Sequence, residues 1–551
     1  MKTLLNILAF VFLFIALVIP NRLAWITPGS FVFLPLELIV FSLLLLVPAR
    51  AGHMLRVTLA LILATGLVFK LADLVAYQVF SRPFNPVFDL YLLADGMRLL
   101  TGAIGRLGAL LAALLLVVAL ALVFLLAFSV LGRIRTVLHQ QPRRSLQISG
   151  ALLGLWIVLK LSGFARVNTY FHDEFVQHVS AIFNSLDDIR NFSATVNDDP
   201  YAAASGQQLF DKLRGKDVYV IFVESYGRIV LDDPEFAAAV QPTLEQAAFQ
   251  LQINGIGARS AFIKSSTVGG ISWLAHATTM SGLWIDSQLR YDTLMMSQRP
   301  TLNRLFQRAG WRTLAVMPAI SMVWPEAKYF GYDHVYDAHN SGYNGLPFNW
   351  VTMPDQYVMS ALQAHERTQD ERAPIMAEIA LISSHAPWTP TPELVRWNEV
   401  GDGTVFNEQA LAGPAVDDVW QDTALIRQQY RQSIEYVINN LASYAIQYGD
   451  DNLVMLILGD HQPAPLVTGA IDNADVPVHI IARDPAVFDA IADWQWSEGL
   501  LPANDAPVWR MDTLRDRFID AFTSNATTSA TSSTTTSTTT STTTSETVNG
   551  N

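Results

Sequence analysis

Five apolar stretches precede residue 164, at about 4–20, 31–48, 54–79, 107–132 and 147–163. A helix needs ~20 apolar residues to cross the hydrocarbon core of a bilayer. The pattern therefore predicts an α-helical membrane domain of five transmembrane helices over residues 1–163. The first stretch ends Val18-Ile19-Pro20-Asn21-Arg22. It lacks a small-residue cleavage pattern and reads as a retained anchor.

Orientation follows from the basic residues between spans, because short loops rich in Lys and Arg stay in the cytoplasm. Lys2, the pair Arg50 and Arg56, and the group Arg133, Arg135, Arg143 and Arg144 fall on one side of a five-span arrangement. Everything beyond residue 163 is then expected outside the cytoplasm of a bacterial inner membrane. The segment 80–106 shares that side and carries Arg82, Arg98 and Arg106. Lys70 and Asp73 sit near the outer end of the third stretch, and Lys160 near the end of the fifth. Snorkelling to the interface is the expectation for all three.

Charge divides at the same boundary. Residues 1–163 hold 13 basic and 4 acidic residues, and the remainder holds 23 basic and 45 acidic ones. A soluble part with a net charge of −22 argues against a nucleic-acid partner. The chain has no cysteine, which excludes disulfides, thiolate metal sites and a cysteine nucleophile.

Residues 164–216 form a connector. Within it Phe171, Phe175, Val179, Ile182, Phe183 and Leu186 recur at helical spacing, so an amphipathic helix is expected, lying on the membrane surface or packed on the soluble domain. Residues 217–523 read as one α/β domain. Apolar strand-like runs at 218–223, 314–317, 375–382, 453–458 and 478–482 alternate with longer helical segments. That alternation predicts a largely parallel central sheet covered on both faces. Residues 524–551 are dominated by Ser and Thr and cannot build a core, so they are expected to be disordered.

Three of the apolar runs end in a polar cluster: Val223-Glu224-Ser225-Tyr226-Gly227, Ile382-Ser383-Ser384-His385 and Leu458-Gly459-Asp460-His461. Ligands of open α/β sheets bind beyond the carboxyl ends of the strands. Glu224, His385, Asp460 and His461 are thus expected around one crevice, where carboxylates and imidazole together suit Zn²⁺ or Mn²⁺. A hydroxyl nucleophile is sought in Thr267-Val268-Gly269-Gly270-Ile271-Ser272, ahead of a helical pattern that runs to Gly282. Ser272 falls at the helix start, where free N–H groups favour an alkoxide and a phosphoryl group. As an alternative, Ser272 is the helix N-cap.

With these motifs the chain resembles the alkaline phosphatase/sulfatase superfamily, in its branch of lipoteichoic acid synthase-like and phosphoethanolamine transferase-like membrane proteins. The resemblance covers the membrane-helix-plus-domain arrangement and residues 217 to 485. It implies an alkaline-phosphatase-like fold and metal ligation by Glu224, Ser272, Asp460 and His461. It further implies a substrate contact from His385, and a headgroup-site segment at Trp324, Phe330-Gly331-Tyr332-Asp333 and Tyr336-Asp337. The spacing from Ser272 to Gly282 is similar to that of the superfamily's nucleophile helix, and His276 to the nucleotide pyrophosphatase form. Synthase-type nucleophiles are threonines, which keeps Thr267 beside Ser272 as a candidate. The synthases carry Arg two residues after their tryptophan, whereas this chain has Glu326. The Cys-x-Pro-x-Arg sulfatase pattern is absent.

The implied activity is transfer of a phospholipid-derived phosphoryl headgroup, of phosphoglycerol or phosphoethanolamine type, to a glycan or lipid acceptor. It would proceed through a covalent Ser/Thr intermediate with one divalent metal ion, Mn or Zn, and Mg as a further candidate. Trp324, Trp388 and His276 are the candidate substrate-binding residues. A phosphodiesterase, phosphatase or sulfatase-like hydrolase of the same fold, and a non-catalytic lipid-binding regulator, remain as alternatives.

Overall fold

The structure, a computed structural model, describes residues 2–80, 82–164, 166–368, 371–469 and 473–524. The Ser/Thr-rich segment expected to be disordered lies almost wholly outside the described residues. The first part of the chain is helical: α1 (Lys2–Val18), α2 (Leu36–Leu45), α3 (Ala49–Phe80), α4 (Leu92–Gln140, broken at Gly105), α5 (Pro142–Leu161) and α6 (Tyr170–Thr195). Among the described residues, three segments are long and apolar enough to cross a membrane: Ala51–Phe80, Leu100–Leu138 and Pro142–Leu161. The other two expected spans form shorter apolar helices of 17 and 10 residues. At ~1.5 Å per residue, α2 rises only about half the thickness of a ~30 Å core.

The basic loops meet at one end of this bundle. Arg56 donates to the carbonyl of Phe128 (2.8 and 3.0 Å), Arg135 to that of Val47 (3.2 Å), and His139 contacts that of Leu45 (3.1 Å). Leu45 and Val47 lie at or just beyond the end of α2, where carbonyls lack intrahelical partners and cations gather, whereas Phe128 lies inside α4.

At the opposite end the expectation of snorkelling fails for two residues. Asp73 is fully buried and accepts hydrogen bonds from Asn21 Nδ2 (2.7 Å) and the Phe84 backbone N–H (2.8 Å), with His178 Nε2 at 3.1 Å. Lys70 is also buried, donates to the Ile19 carbonyl (2.6 Å) and pairs with Glu174 (2.9 Å). A charge cannot sit unpaired in an apolar bundle. Here the partners come from the segment after α1 (Ile19, Asn21), the segment after α3 (Phe84) and α6 (Glu174, His178), so the charges turn inward and tie these pieces to α3. Lys160 remains exposed. α6 bridges both parts of the chain, since its Asp188 accepts from Arg290 Nε (2.8 Å) on the α/β domain.

That domain is built on a nine-stranded sheet. Its main strands are β1 (Asp217–Val223), β2 (Gly257–Lys264), β3 (Arg312–Val316), β4 (His334–Tyr336), β5 (Ile375–Leu381), β6 (Leu453–Gly459) and β7 (Asp475–Ala482). They lie in the order β2-β7-β6-β1-β5-β3-β4. The block β6-β1-β5-β3-β4 is parallel, while β7 and β2 pair antiparallel. Short pieces at 497–498 and 508–510 flank β2.

β1 is buried along its whole length because both faces carry a core. Tyr219, Ile221 and Val223 pack on the side of α7 (Pro234–Ile253) and α11 (Thr423–Tyr448). Val218, Val220 and Phe222 pack on the other side, with α8 (Ser272–Ser281), α9 (Gln288–Met295), α10 (Leu302–Arg308) and α12 (Leu514–Phe522). Each fully buried apolar side chain contributes about 1.5–3 kcal/mol. An uninterrupted apolar run is the pattern a strand covered on both faces demands.

The turn before α8 rests on the end of α3. A Cβ placed on Gly269 would lie 1.9 Å from the Val79 carbonyl oxygen, and φ there is +76°. Only glycine fits both conditions.

The Asp73 cluster yields the first prediction. Asp73→Ala strands three donors in the bundle and should cost about 3–5 kcal/mol, whereas Lys160→Ala should stay within about 0.5 kcal/mol. Thermal unfolding of the full chain in detergent reads both. Equal melting temperatures for the two variants would restore snorkelling for Asp73.

Candidate active site and metal centre

Parallel pairing brings the strand ends to one level. Val223, Leu381 and Gly459 form one row across β5, β1 and β6. The next residues, Glu224, Ile382 and Asp460, therefore emerge side by side. Gly459 is required at this level, because a Cβ would lie 2.0 Å from the Tyr226 carbonyl. Three of the turns around the site also hold a non-glycine residue in the left-handed region: Ser225 (φ 57°), Ile271 (φ 57°) and Trp388 (φ 61°). Such a conformation costs on the order of 1–3 kcal/mol and persists only where the surroundings impose it.

Ser272 opens α8 as its first helical residue. Ile271 is the N-cap and no side chain caps the helix, so the N-cap role is not the one Ser272 plays. Its Oγ donates to Glu224 Oε2 (3.0 Å) and lies 3.2 Å from His461 Nε2. Glu224 Oε1 is 3.3 Å from His461 Nε2 and accepts from Ser225 Oγ (2.9 Å). Asp460 Oδ1 accepts from the backbone N–H groups of Ser225 (2.8 Å) and His461 (2.6 Å). His461 Nδ1 donates to the Gln462 carbonyl (2.8 Å), which leaves Nε2 facing Glu224 and Ser272.

Donor atoms of Glu224, Asp460 and His461 all lie within 4.8 Å of one another. Two converging carboxylates and an imidazole, with Glu224 half-buried and Asp460 and His461 buried, fit a divalent cation such as Mn²⁺ or Zn²⁺. The electrostatics point the same way. Burial and the charge of Glu224 push Asp460 up to about 7. Burial lowers His461, but Asp460 and Glu224 outweigh it and raise the imidazole to about 9. Glu224 is also opposed by burial, yet the charge and hydrogen bond of His461, with a further contribution from His385, hold it well below the ordinary carboxylate range. Without a metal, a proton on His461 keeps the carboxylates together.

The other sequence candidates are placed as follows. Thr267 is buried, its Oγ1 makes no hydrogen bond, and it is not among the groups around Glu224. His385 is exposed at the rim, near enough to influence Glu224. Trp324 is half-buried and packs on Phe330 and Tyr332. Trp388 is 5% exposed, stacks on Trp420 and donates its indole N–H to the Ser384 carbonyl (2.7 Å), so it presents little surface to a ligand. His276 is buried and bonded to Glu378 (2.9 Å). Sequence reading missed Ser225, whose N–H and Oγ hold Asp460 and Glu224, and Glu378. The signal for Glu378 was present: one acidic residue inside the apolar run Ile375–Leu381.

The fold and the site together define a class: an α/β domain with a candidate metal centre and a hydroxyl at a helix start. No protein-family model and no curated relative matches the chain. Solved structures of the alkaline phosphatase type match at low identity. A lipoteichoic acid synthase of Listeria monocytogenes matches at 12% identity and a TM-score of 0.37, over 57% of this chain and 74% of its own. An alkaline phosphatase superfamily protein of Vibrio parahaemolyticus matches at 14% and 0.37, over 61% and 74%. The periplasmic domain of EptC from Escherichia coli, in complex with Zn, matches at 13% and 0.37, over 56% and 82%. Matches at this level assign neither substrate nor reaction.

Metal binding should depend on pH with a defined sign. A cation requires Asp460 ionised and His461 Nε2 free, and in the metal-free site both hold protons to unusually high pH. Mn²⁺ affinity of the full chain should therefore rise as pH climbs through about 7 toward about 9. Asp460→Ala should abolish binding. Isothermal titration at several pH values measures both, and a pH-independent affinity would remove these side chains as ligands.

Proposed function

We propose that the chain is a membrane-anchored, metal-dependent transferase that moves a phospholipid-derived phosphoryl headgroup to an extracytoplasmic glycan or lipid. The observation that carries the reading is Ser272 Oγ, set 3.0 Å from Glu224 and 3.2 Å from His461 at the start of α8. On this reading the basic end of the helical bundle is cytoplasmic, and the α/β domain stands outside a bacterial inner membrane. The glycine turn against the end of α3 then puts the site at the bilayer surface, within reach of a lipid donor.

Glu224, Asp460 and His461, with Ser272, would hold the ion. When bound, it acidifies the serine hydroxyl and neutralises charge on a phosphoryl oxygen. Ser272 Oγ, its proton released to solvent as the ion would bind, attacks phosphorus; an Oγ–P bond forms and the P–O bond to the lipid alcohol breaks. His385, at the exposed rim, protonates the departing oxygen. The free N–H groups at the start of α8 face the charge on the transferred group. An acceptor hydroxyl, its proton taken by His385, then attacks the same phosphorus; the Oγ–P bond breaks, and Ser272 leaves as the alkoxide the ion would hold. Trp324 lines the headgroup side. A hydrolase of the same fold differs only in the second acceptor, which is water.

Ser272→Ala should cut headgroup transfer from labelled phospholipid vesicles by about 10³-fold or more, and Thr267→Ala by less than about 10-fold. Acid trapping and peptide mass spectrometry should place the covalent group on Ser272. An adduct on Thr267 that survives Ser272→Ala would reverse the assignment. Turnover that needs no glycan or lipid acceptor would identify a hydrolase.

A further inference from the structure

We infer that Glu378 is a positioning residue for this site, acting through His276; the inference rests on Ser272 being the nucleophile. Glu378 lies in the middle of β5, in one row with Val220 of β1 and Ala315 of β3, and is 1% exposed. A carboxylate there is expensive to bury, and an apolar residue of similar volume would serve the fold at least as well. What the carboxylate adds is orientation.

Three donors converge on it from three different segments: His276 Nδ1 of α8 (2.9 Å), Asn303 Nδ2 of α10 (3.0 Å) and the Tyr332 hydroxyl (2.6 Å). An ionised carboxylate only accepts, so His276 must present Nδ1–H, and Nε2 is the nitrogen left for other partners. The imidazole plane is fixed as well, lying on the Phe222 ring at 3.7 Å and 20°. His276 follows Ser272 by four residues, which places both on one face of α8. The same helix thus brings Ser272 to Glu224 and His276 to Glu378. Tyr332, the third donor, carries the half-buried Trp324 against its ring at 5.8 Å. One buried carboxylate thereby sets the tautomer of His276, the seat of the nucleophile helix, and the aromatic segment proposed to face the headgroup.

The test uses the full chain in lipid nanodiscs. Solid-state NMR of ¹⁵N-histidine-labelled protein, with the His276 signals identified by their loss in His276→Gln, should show Nδ1–H in the wild type. In Glu378→Gln the amide N–H₂ faces the ring, and the signals should switch to Nε2–H. Headgroup transfer in Glu378→Gln should fall by about 10–100-fold in kcat with KM little changed. Mn²⁺ content and melting temperature should be close to wild type. In a His276→Ala background the same substitution should cost less than about 2-fold, because its effect passes through the missing imidazole. A wild-type Nε2–H tautomer overturns the inference whether or not the variants fold. So does an equal loss in both backgrounds, which marks a role independent of His276. Wild-type protein that transfers no headgroup sinks the functional reading instead, and the tautomer still decides the role of Glu378.

Discussion

Two carboxylates, Glu224 and Asp460, are forced together at the buried ends of neighbouring parallel strands, and the chemistry around them answers that repulsion. Parallel register fixes the placement, because β1 and β6 end in the same row as β5. Like charges so close in a medium of low dielectric are held only by positive charge or by hydrogen-bond donors. His461 supplies one, the backbone N–H groups of Ser225 and His461 supply others, and the donor set is completed by a hydroxyl from the start of α8. A divalent cation answers the same repulsion more strongly.

The strained backbone belongs to this arrangement. Ser225 and Ile271 adopt left-handed geometry on either side of the acidic pair. At Ser225 the geometry brings one residue's N–H to Asp460 and its hydroxyl to Glu224. At Ile271 it turns the chain so that the following hydroxyl enters the site rather than capping the helix. β-branched residues are rarely left-handed, so the packing of Ile271 against the core must hold it there.

The site was legible in sequence where strands announce their ends. An apolar run followed by a polar cluster is visible without tertiary information, and Glu224, His385, Asp460 and His461 each follow such a run. β2 escaped notice because Gly257-Ala258-Arg259-Ser260 mixes polar and apolar residues, as an edge-side strand does. The choice between Ser272 and Thr267 was illegible, since both are hydroxyls beside the same glycines and only the approach of Glu224 separates them. The burial of Asp73 was illegible for a different reason. Its side-chain partners lie 52 and 105 residues away, at Asn21 and His178. Two of the five apolar stretches give short helices: α1, at 17 residues, is as long as its stretch, whereas α2, at 10 residues, is shorter than the stretch 31–48.

The contact between Gly269 and the Val79 carbonyl has a kinetic consequence. If α3 spans the bilayer and the donor is a lipid, as proposed, that donor reaches Ser272 by lateral diffusion within one leaflet. Encounter frequency is then governed by lipids per unit area, and diluting the vesicles in buffer leaves it unchanged. Mixing the donor with inert lipid at constant vesicle number lowers it in proportion. The enzyme's saturation curve would have mole fraction on its axis, and molarity would describe only the acceptor arriving from the aqueous side.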